Sequence, residues 1–239
     1  MLKNFLNNLL NIFYPARCTV CKKDILPYKK DKYICDLCLN SIKKNIPPFC
    51  IKCGRHIEGV DKMVCDSCKD KTYYFDRAFS AFVYEGPIKE LLHQFKYNGK
   101  DFLGKFLAEM LIEFINTYQL EIKKFDFVVP VPLHSAKLRQ REYNQAEVLA
   151  TYIAKNFHLT LLKDALYKIK NTPSQTELDA QRRMENIVGS FKINPKINLK
   201  EKDILLIDDI LTTGATTSEI AKIIKLSGAK KVIVLTLAS

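Results

Sequence analysis

The sequence predicts an α/β fold, in which a parallel sheet carries helices on both faces and follows a small cysteine-rich module. Three observations lead to this prediction. The chain has 239 residues, 47% hydrophobic and 27% charged, enough for one domain of ordinary size and one small module. All eight cysteines lie within residues 1–75. From Asp76 onward, apolar segments of strand length alternate with segments of helical periodicity, the order typical of parallel sheets.

Residues 1–14 have the pattern of a short amphipathic helix. Apolar residues recur at helical spacing, but four asparagines interrupt them and no small-residue cleavage site follows. A membrane span needs about 18 uninterrupted apolar residues, and the sequence contains no such run. We therefore expect a cytoplasmic protein with an N-terminal helix rather than a signal peptide. Packing on the cysteine-rich module, docking of a partner and peripheral membrane contact are all compatible with this helix.

The cysteines form four C-x-x-C pairs, at Cys18 and Cys21, Cys35 and Cys38, Cys50 and Cys53, and Cys65 and Cys68. A C-x-x-C turn directs two sulfur atoms at one metal ion, and two such turns close a tetrahedral Cys₄ site. Thirteen residues separate the first two pairs and eleven separate the last two. The spacing predicts two structural zinc ions in a double zinc ribbon that covers residues 15–75.

Three alternatives to this zinc assignment remain open. A disulfide framework would need a secreted protein, and redox-active C-x-x-C turns would need strand–helix units around them. His56 would be able to replace one sulfur of the second site. Four filled positions leave none for a substrate, so both sites are expected to be structural.

The chain carries a formal net charge of +12, which suggests nucleic acid or an anionic surface as a partner. Residues 1–75 contain 14 Lys or Arg and 7 Asp or Glu, more than half of the excess. Part of this charge would balance cysteine thiolates around zinc. Lysines interleaved with aromatic residues predict a face that binds single-stranded DNA, and a solvated lysine surface is the alternative. The residues concerned are Lys22, Lys23, Lys29, Lys30, Lys32, Lys43, Lys44 and Lys52, with Tyr28, Tyr33 and Phe49.

Residues 76–239 are expected to form the α/β domain. Proline at the first turn of its first helix, and Asp101 as a cap of the second, support the assignment. The predicted order is strand 78–84, helix 87–97, helix 101–118, strand 126–131, helix 144–157, strand 166–170, helix 177–186, strand 203–207, a helix to about residue 227, and strand 232–237.

Two adjacent acids, Asp208 and Asp209, follow the strand 203–207. Open α/β sheets bind ligands at the carboxyl ends of their strands, where paired acids accept hydrogen bonds from a diol or hold Mg²⁺. The next residues are small, rich in hydroxyl groups and open a helix, as a phosphate site requires. They are Thr212, Thr213, Gly214, Ala215 and Thr216. Together they predict a ribose 5-phosphate site, although a receiver-type magnesium pocket or solvated carboxylates would explain the acids alone.

The segment I-L-L-I-D-D-I-L-T-T-G-A-T at 204–216 resembles the phosphoribosyl pyrophosphate signature of type I phosphoribosyltransferases. Further segments resemble the ComF family of competence proteins, in which a zinc module precedes a phosphoribosyltransferase-like domain. They are V-P-V-P-L at 129–133, L-R-Q-R-E-Y-N-Q-A at 138–146, F-K-Y-N-G at 95–99 and T-P-S-Q-T at 172–176. The resemblance covers nearly the whole chain from residue 15.

The resemblance implies a role for each matching position. Asp208 and Asp209 would contact the ribose hydroxyls and hold Mg²⁺, and the amides of residues 212–216 would hold the 5-phosphate. The implied pyrophosphate-binding residues are Val131, Lys96, Arg139 and Arg141, and those of a mobile hood are Gln175, Arg182 and Arg183. Glu142 stands where the family usually has glycine, and an acid at that position would repel pyrophosphate unless it turns outward.

Two functions follow from these expectations. In the first, the protein binds phosphoribosyl pyrophosphate with Mg²⁺ and supports the uptake of single-stranded DNA in natural transformation, with a helicase or ATPase as partner. In the second, it is an active phosphoribosyltransferase of nucleotide metabolism with no role in DNA uptake. No segment of the sequence identifies an acceptor substrate.

Overall fold

The computed structural model describes residues 16–25, 33–59, 62–97, 102–172 and 187–239. Several predicted features lie outside these residues: the N-terminal helix 1–14, the cap Asp101, the helix 177–186, and Tyr28, Lys29, Lys30 and Lys32 of the predicted DNA-binding face. Seven strands are described: β1 (Arg77–Phe82), β2 (Phe127–Pro130), β3 (Thr160–Leu161), β4 (Leu166–Lys168), β5 (Phe191–Ile193), β6 (Asp203–Ile210) and β7 (Lys231–Ala238). The described α-helices are α1 (Asp36–Asn40), α2 (Gly86–Lys96), α3 (Leu103–Thr117), α4 (Ser135–Arg141), α5 (Gln145–Phe157) and α6 (Ala215–Leu226).

The main sheet has five strands in the order β1-β7-β6-β2-β3, and every neighbouring pair is parallel. β6 and β7 are its centre, because their apolar runs are buried on both faces. The α/β class and the parallel sheet are therefore confirmed. The strand predicted at 166–170 is not part of this sheet, because β4 pairs antiparallel with β5 in a separate two-stranded ribbon.

The two faces of the sheet have different coverings. α2, α3 and α5 cover one face, where Leu205 and Ile207 of β6 point. α6 and the β4–β5 ribbon cover the other, where Ile204 and Leu206 point. The alternation follows from the two-residue period of a strand. Among the described residues, no helix is long and apolar enough to span a membrane.

The cysteine-rich module divides between these two faces. The first ribbon, residues 16–42, places Cys18 and Cys38 in the core formed with α2, α3 and α5. The second ribbon, residues 50–75, places Cys50, Cys53 and Cys68 in the core formed with α6. Each ribbon therefore adds its own apolar residues to one of the two cores of the α/β domain.

Asn45, which is 2% exposed, fastens the second ribbon to β1. Its side-chain amide donates to the carbonyl oxygens of Gly54 (2.7 Å) and Ser80 (2.9 Å), and its side-chain oxygen accepts from the His56 amide (2.8 Å). Gly54 is left-handed at φ 73°, and a Cβ there would lie 2.3 Å from the Ala78 carbonyl oxygen. Only glycine fits so close an approach of two backbones.

Two differences from the predicted elements affect the ligand site. β6 continues to Ile210, because Asp208 and Ile210 still pair with Thr236 and Ala238 of β7. The segment after β2, expected to be a loop, contains α4. α4 has no buried residue and therefore shows no apolar periodicity that would predict it.

Candidate ligand site at the end of strand β6

Asp208 and Asp209 lie within the last residues of β6, and their side chains leave opposite faces of the sheet. Asp209 shares the face of Ile207 and is 8% exposed, whereas Asp208 is partly buried on the face of Leu206. The Asp209 amide donates to Oδ1 of Asp208 at 2.9 Å. The two carboxyl groups therefore approach a ligand from two sides rather than from one.

Lys96, in the last turn of α2, reaches this pair. Its Nζ lies 2.5 Å from Oδ2 of Asp209, and the two side chains are 21% and 12% exposed. Burial alone would lower the pKa of Lys96, but the adjacent Asp209 carboxylate more than offsets burial and raises that pKa. Burial, and then the neighbouring Asp209 carboxylate, raise the pKa of Asp208 well above its usual value. Lys96 thus pairs with Asp209, while Asp208 is held toward its protonated form.

The loop after β6 leads directly into the N-terminus of α6. Gly214 adopts the left-handed conformation at φ 78° as the N-cap, and its carbonyl oxygen accepts from the Ser218 amide (2.8 Å). Oγ1 of Thr213 accepts from the Ala215 amide at 3.3 Å. A helix N-terminus with glycine at the turn presents amide donors and a favourable dipole to an anion.

A small cleft of about 20 Å³ lies against this loop and is lined by residues including Asp208, Thr212, Gly214 and Thr216. That volume holds about one water molecule. The phosphoryl group of a ligand would therefore lie at the mouth of the cleft. Among the described residues, those that line the cleft all belong to β6, the following loop or α6.

Basic side chains of α4 form the second part of the site. Lys137 and Arg141 are four residues apart on α4 and share a helix face. Arg141 donates to Oε1 of Gln145 (3.1 Å) and stacks over the Tyr97 ring, whose centroid lies 5.1 Å from Cζ. Arg139 lies on the opposite side of this short helix and is exposed. The helix therefore places Arg141 and Lys137, but not Arg139, on one surface.

Lys168 of β4 completes this basic group. Burial, and then the charge of Lys137, lower the pKa of Lys168 to about 8, with a smaller contribution from Arg141. Asp208 acts in the opposite direction. Lys168 also forms an isolated parallel bridge with His134, the N-cap of α4, so Lys137, Arg141 and Lys168 lie on adjoining segments on the side of Asp208. We name them the basic cluster.

The sequence did not indicate Lys137 or Lys168. The available signal for Lys137 was the i, i+4 spacing of Lys137 and Arg141, which matters only once the segment is known to be helical. The sequence contained no such signal for Lys168, because Lys168 is connected to the site by a bridge with His134, 34 residues away in the chain.

Other predicted site residues are placed as follows. Val131 is buried, with its amide donating to the Ile207 carbonyl oxygen and its own carbonyl oxygen accepting from Nδ2 of Asn144. Both backbone groups of Val131, the N–H and the carbonyl, are therefore hydrogen-bonded within the protein.

Glu142 ends α4 in the left-handed conformation at φ 68° and is exposed. This conformation explains why glycine suits the position, and the acid points to solvent. The hood residues Gln175, Arg182 and Arg183 lie outside the described residues.

The eight cysteines form two clusters, and in each cluster all four sulfur atoms lie within 4.8 Å of one another. Sγ of Cys21 and Sγ of Cys35 are 3.6 Å apart, as are those of Cys53 and Cys65. A zinc tetrahedron with bonds of about 2.3 Å requires about 3.8 Å between sulfur atoms. The four sulfur atoms of each cluster therefore fit zinc. His56 is outside both clusters, and its Nδ1 lies 2.9 Å from the Ile46 carbonyl oxygen.

The two clusters repeat one backbone arrangement. The Cys35 amide donates to Sγ of Cys18, and the Cys65 amide donates to Sγ of Cys50, both at 3.4 Å. Burial raises the pKa of Cys18, but backbone amide donors outweigh burial and lower it to about 6. The same balance lowers the pKa of Cys50 to about 7. One thiolate per cluster is thus favoured near neutral pH, as metal binding requires.

The lysine-rich face differs from the predicted one in its aromatic residues. The Tyr33 ring packs on Phe102 at 5.0 Å, and the Phe49 ring packs on Tyr118 at 5.1 Å. Neither ring is an open platform for a base. Lys43 and Lys44 form ion pairs with Glu85 (3.2 Å) and Glu113 (3.1 Å).

Comparison with known proteins gives matches to both parts of the chain. Residues 9–69 match the double zinc ribbon domain, and residues 143–239 match the phosphoribosyl transferase domain. Competence protein F of Haemophilus influenzae is 26% identical over 92% of this chain and 95% of its own length. DNA utilization protein YhgH of Escherichia coli K12 is 25% identical over 91% and 94%. Competence protein ComFC of Bacillus subtilis is 29% identical over 79% and 76%.

The matches agree with the structure in the order and kind of the two parts. Two Cys₄ clusters precede a parallel sheet that ends in an acid pair and a helix N-terminus. The chain is therefore homologous to Competence protein F, ComFC and YhgH, and it has a double zinc ribbon followed by a phosphoribosyl transferase domain.

Proposed function

We propose that this cytoplasmic protein binds phosphoribosyl pyrophosphate with Mg²⁺ and acts in the uptake of single-stranded DNA during natural transformation. One observation carries the ligand assignment: the acid pair of β6 lies between a helix N-terminus and the basic cluster. The names of two relatives, Competence protein F and ComFC, support the biological role. The helicase or ATPase partner stays a prediction.

Each part of the site suits one part of this ligand. The amides of residues 212–216 suit the 5-phosphate, and the carboxyl groups of Asp208 and Asp209 suit the ribose hydroxyls. The basic cluster suits pyrophosphate. Without these cations, the two carboxylates would repel that anion. Lys96 forms an ion pair with Asp209. A ribose hydroxyl that binds Asp209 would therefore compete with Lys96 for this carboxylate.

The donor set at the acid pair fits Mg²⁺. Carboxylate oxygens are the protein ligands that this ion prefers, and it commonly uses one or two of them together with substrate phosphates. Burial and the Asp209 carboxylate raise the pKa of Asp208, so its ionised form requires a further cation beside it. A divalent cation would supply that charge and reduce the negative charge of pyrophosphate.

The alternative function is catalysis without a role in DNA uptake. Cleavage of the bond between C1 of the ribose and pyrophosphate leaves positive charge on the sugar, and carboxylates beside it stabilise that charge. The position of Asp208, next to both Asp209 and the basic cluster, favours this alternative. Release of pyrophosphate in the presence of an acceptor separates catalysis from binding alone.

We expect Asp208→Asn combined with Asp209→Asn to weaken phosphoribosyl pyrophosphate binding about 100-fold, because two charged hydrogen-bond acceptors are lost. Isothermal titration calorimetry with Mg²⁺ measures this change. Asp164→Asn, which neutralises an exposed acid outside the site, is the matched control and should bind normally. Equal affinity of the double variant and the unaltered protein would contradict the site assignment.

The lowered pKa of Lys168 predicts a pH dependence. Lys168 is charged below a pH of about 8 and loses its proton above it, whereas a bound anion stabilises the charged form. Pyrophosphate affinity should therefore be highest below pH 8 and fall by at most about tenfold per pH unit above it.

Lys168→Arg keeps the positive charge and should remove this part of the pH dependence, while Lys170→Arg on the exposed neighbouring segment should not. Calorimetric titrations from pH 7 to pH 10 test both variants, and the titration of pyrophosphate itself cancels in the comparison. Identical profiles for the two variants would exclude Lys168 from the anion site.

For the cysteine clusters, we expect two zinc ions per chain by metal analysis. Cys21→Ser and Cys65→Ser should each remove one ion, because a closed four-sulfur site binds poorly with three sulfurs. His56→Ala should retain both, since its ring lies outside the clusters. A single ion in the unaltered chain would show that one cluster has another purpose.

Single-stranded DNA binding should rest on charge rather than base stacking, since the Tyr33 and Phe49 rings are packed within the protein. The slope of log affinity against log salt should be negative, and substitution of Lys29, Lys30 and Lys32 by Gln should reduce its magnitude by about 2. Lys43→Gln with Lys44→Gln is the control, because their acidic partners already neutralise them. An affinity independent of salt would contradict a phosphate-binding surface.

A further inference from the structure

The loop after β6 has a second side that faces the second ribbon. Nη2 of Arg55 donates to the carbonyl oxygens of Leu211 (3.1 Å) and Thr212 (2.8 Å). The hydroxyl of Tyr73 donates to the carbonyl oxygen of Thr213 at 3.2 Å. Two side chains of the ribbon thus hold three consecutive carbonyl groups of the loop.

Fixing these carbonyl groups also fixes the amides that follow them. In a planar trans peptide, the carbonyl of one residue and the N–H of the next point in opposite directions. Holding the carbonyls of residues 211–213 toward the ribbon therefore directs the amides of Thr212, Thr213 and Gly214 away from it. The cleft is lined by β6, the loop and α6 and by no described residue of the ribbon, so we place it on that side of the loop.

Tyr73 is itself held firmly. Its ring stacks on Phe75 with centroids 4.7 Å apart, and the next amide, of Tyr74, donates to Oγ of Ser218 in the first turn of α6 (3.1 Å). A Cβ on Gly214 would lie 2.7 Å from Cε1 of Tyr73. The tyrosine ring thus packs directly on the glycine backbone at the point where the loop becomes helix.

We infer that Arg55 and Tyr73 are positioning residues that preset the loop amides for the ligand phosphate. This inference rests on the proposed function and deepens it, because it assigns part of the ligand site to the second ribbon. Donors fixed before binding do not have to be ordered by the ligand, and this raises affinity. The ribbon residues themselves do not touch the ligand in this arrangement.

The test compares Arg55→Gln and Tyr73→Phe with two matched controls. Arg17→Gln removes an arginine of the first ribbon that pairs with Asp24, and Tyr74→Phe removes the hydroxyl of a neighbouring, exposed tyrosine. Three properties are measured on the full chain: the affinity for phosphoribosyl pyrophosphate with Mg²⁺, zinc content, and amide hydrogen exchange of residues 212–214 without ligand.

We expect Arg55→Gln and Tyr73→Phe to bind about tenfold more weakly, with zinc content unchanged, because each loses a hydrogen bond to the loop. Exchange of the loop amides should be faster in both variants, and the controls should match the unaltered protein. Arg55→Lys restores a charged donor to one carbonyl and should bind with intermediate affinity.

The outcomes separate two failures. An unaltered chain that does not bind phosphoribosyl pyrophosphate overturns the proposed function and this inference with it. Normal binding by the unaltered chain and by both variants, with unchanged exchange, overturns the inference alone. Should Arg55→Gln lose zinc or fail to fold, Tyr73→Phe decides the question, since it removes a single oxygen atom.

Discussion

The negative charge at the end of β6 is the constraint on which the site depends. Two neighbouring carboxyl groups lie at the end of a strand whose preceding residues are fully buried, and one lysine faces them. Because like charges in a poorly solvated place are costly, the raised pKa of Asp208 is the expected result. α2 ends at Lys96, α4 presents Arg141 and Lys137, and β4 presents Lys168. These elements meet where the acid charge needs compensation.

Much of this arrangement could be predicted from the sequence. The apolar run of β6, the acids after it and the small residues before α6 form one continuous segment, so local pattern alone locates the acid pair and the phosphate loop. The cysteine pairs are equally local, because a C-x-x-C turn brings its two sulfur atoms together whatever the rest of the fold does. Both predictions depended on residues that are close in the chain.

The other parts of the site could not be predicted, because they depend on contacts between residues that are far apart in the sequence. Lys168 is connected to the site by its bridge with His134, and Arg55 reaches the phosphate loop across more than 150 residues of chain. The opposite orientation of Asp208 and Asp209 became clear only once β6 was seen to pair with β7 as far as Ile210. Arg139 was named through the resemblance alone, and the sequence did not show that Lys137 and Arg141 share a helix face, because α4 is an exposed helix without apolar periodicity.

The backbone contacts between the cysteine-rich module and β1 also protect the α/β domain against self-association. β1 is the outermost strand, and its free side is occupied by backbone partners from residues 43–52: Ala78 N–H donates to Lys52 O, Asn45 N–H to Ala81 O, and Val83 N–H to Lys43 O. An isolated fragment starting at β1 would expose these groups as a template for aggregation. The metal-binding module therefore covers the edge strand of the sheet, and we expect the α/β domain alone to be less soluble than the whole chain.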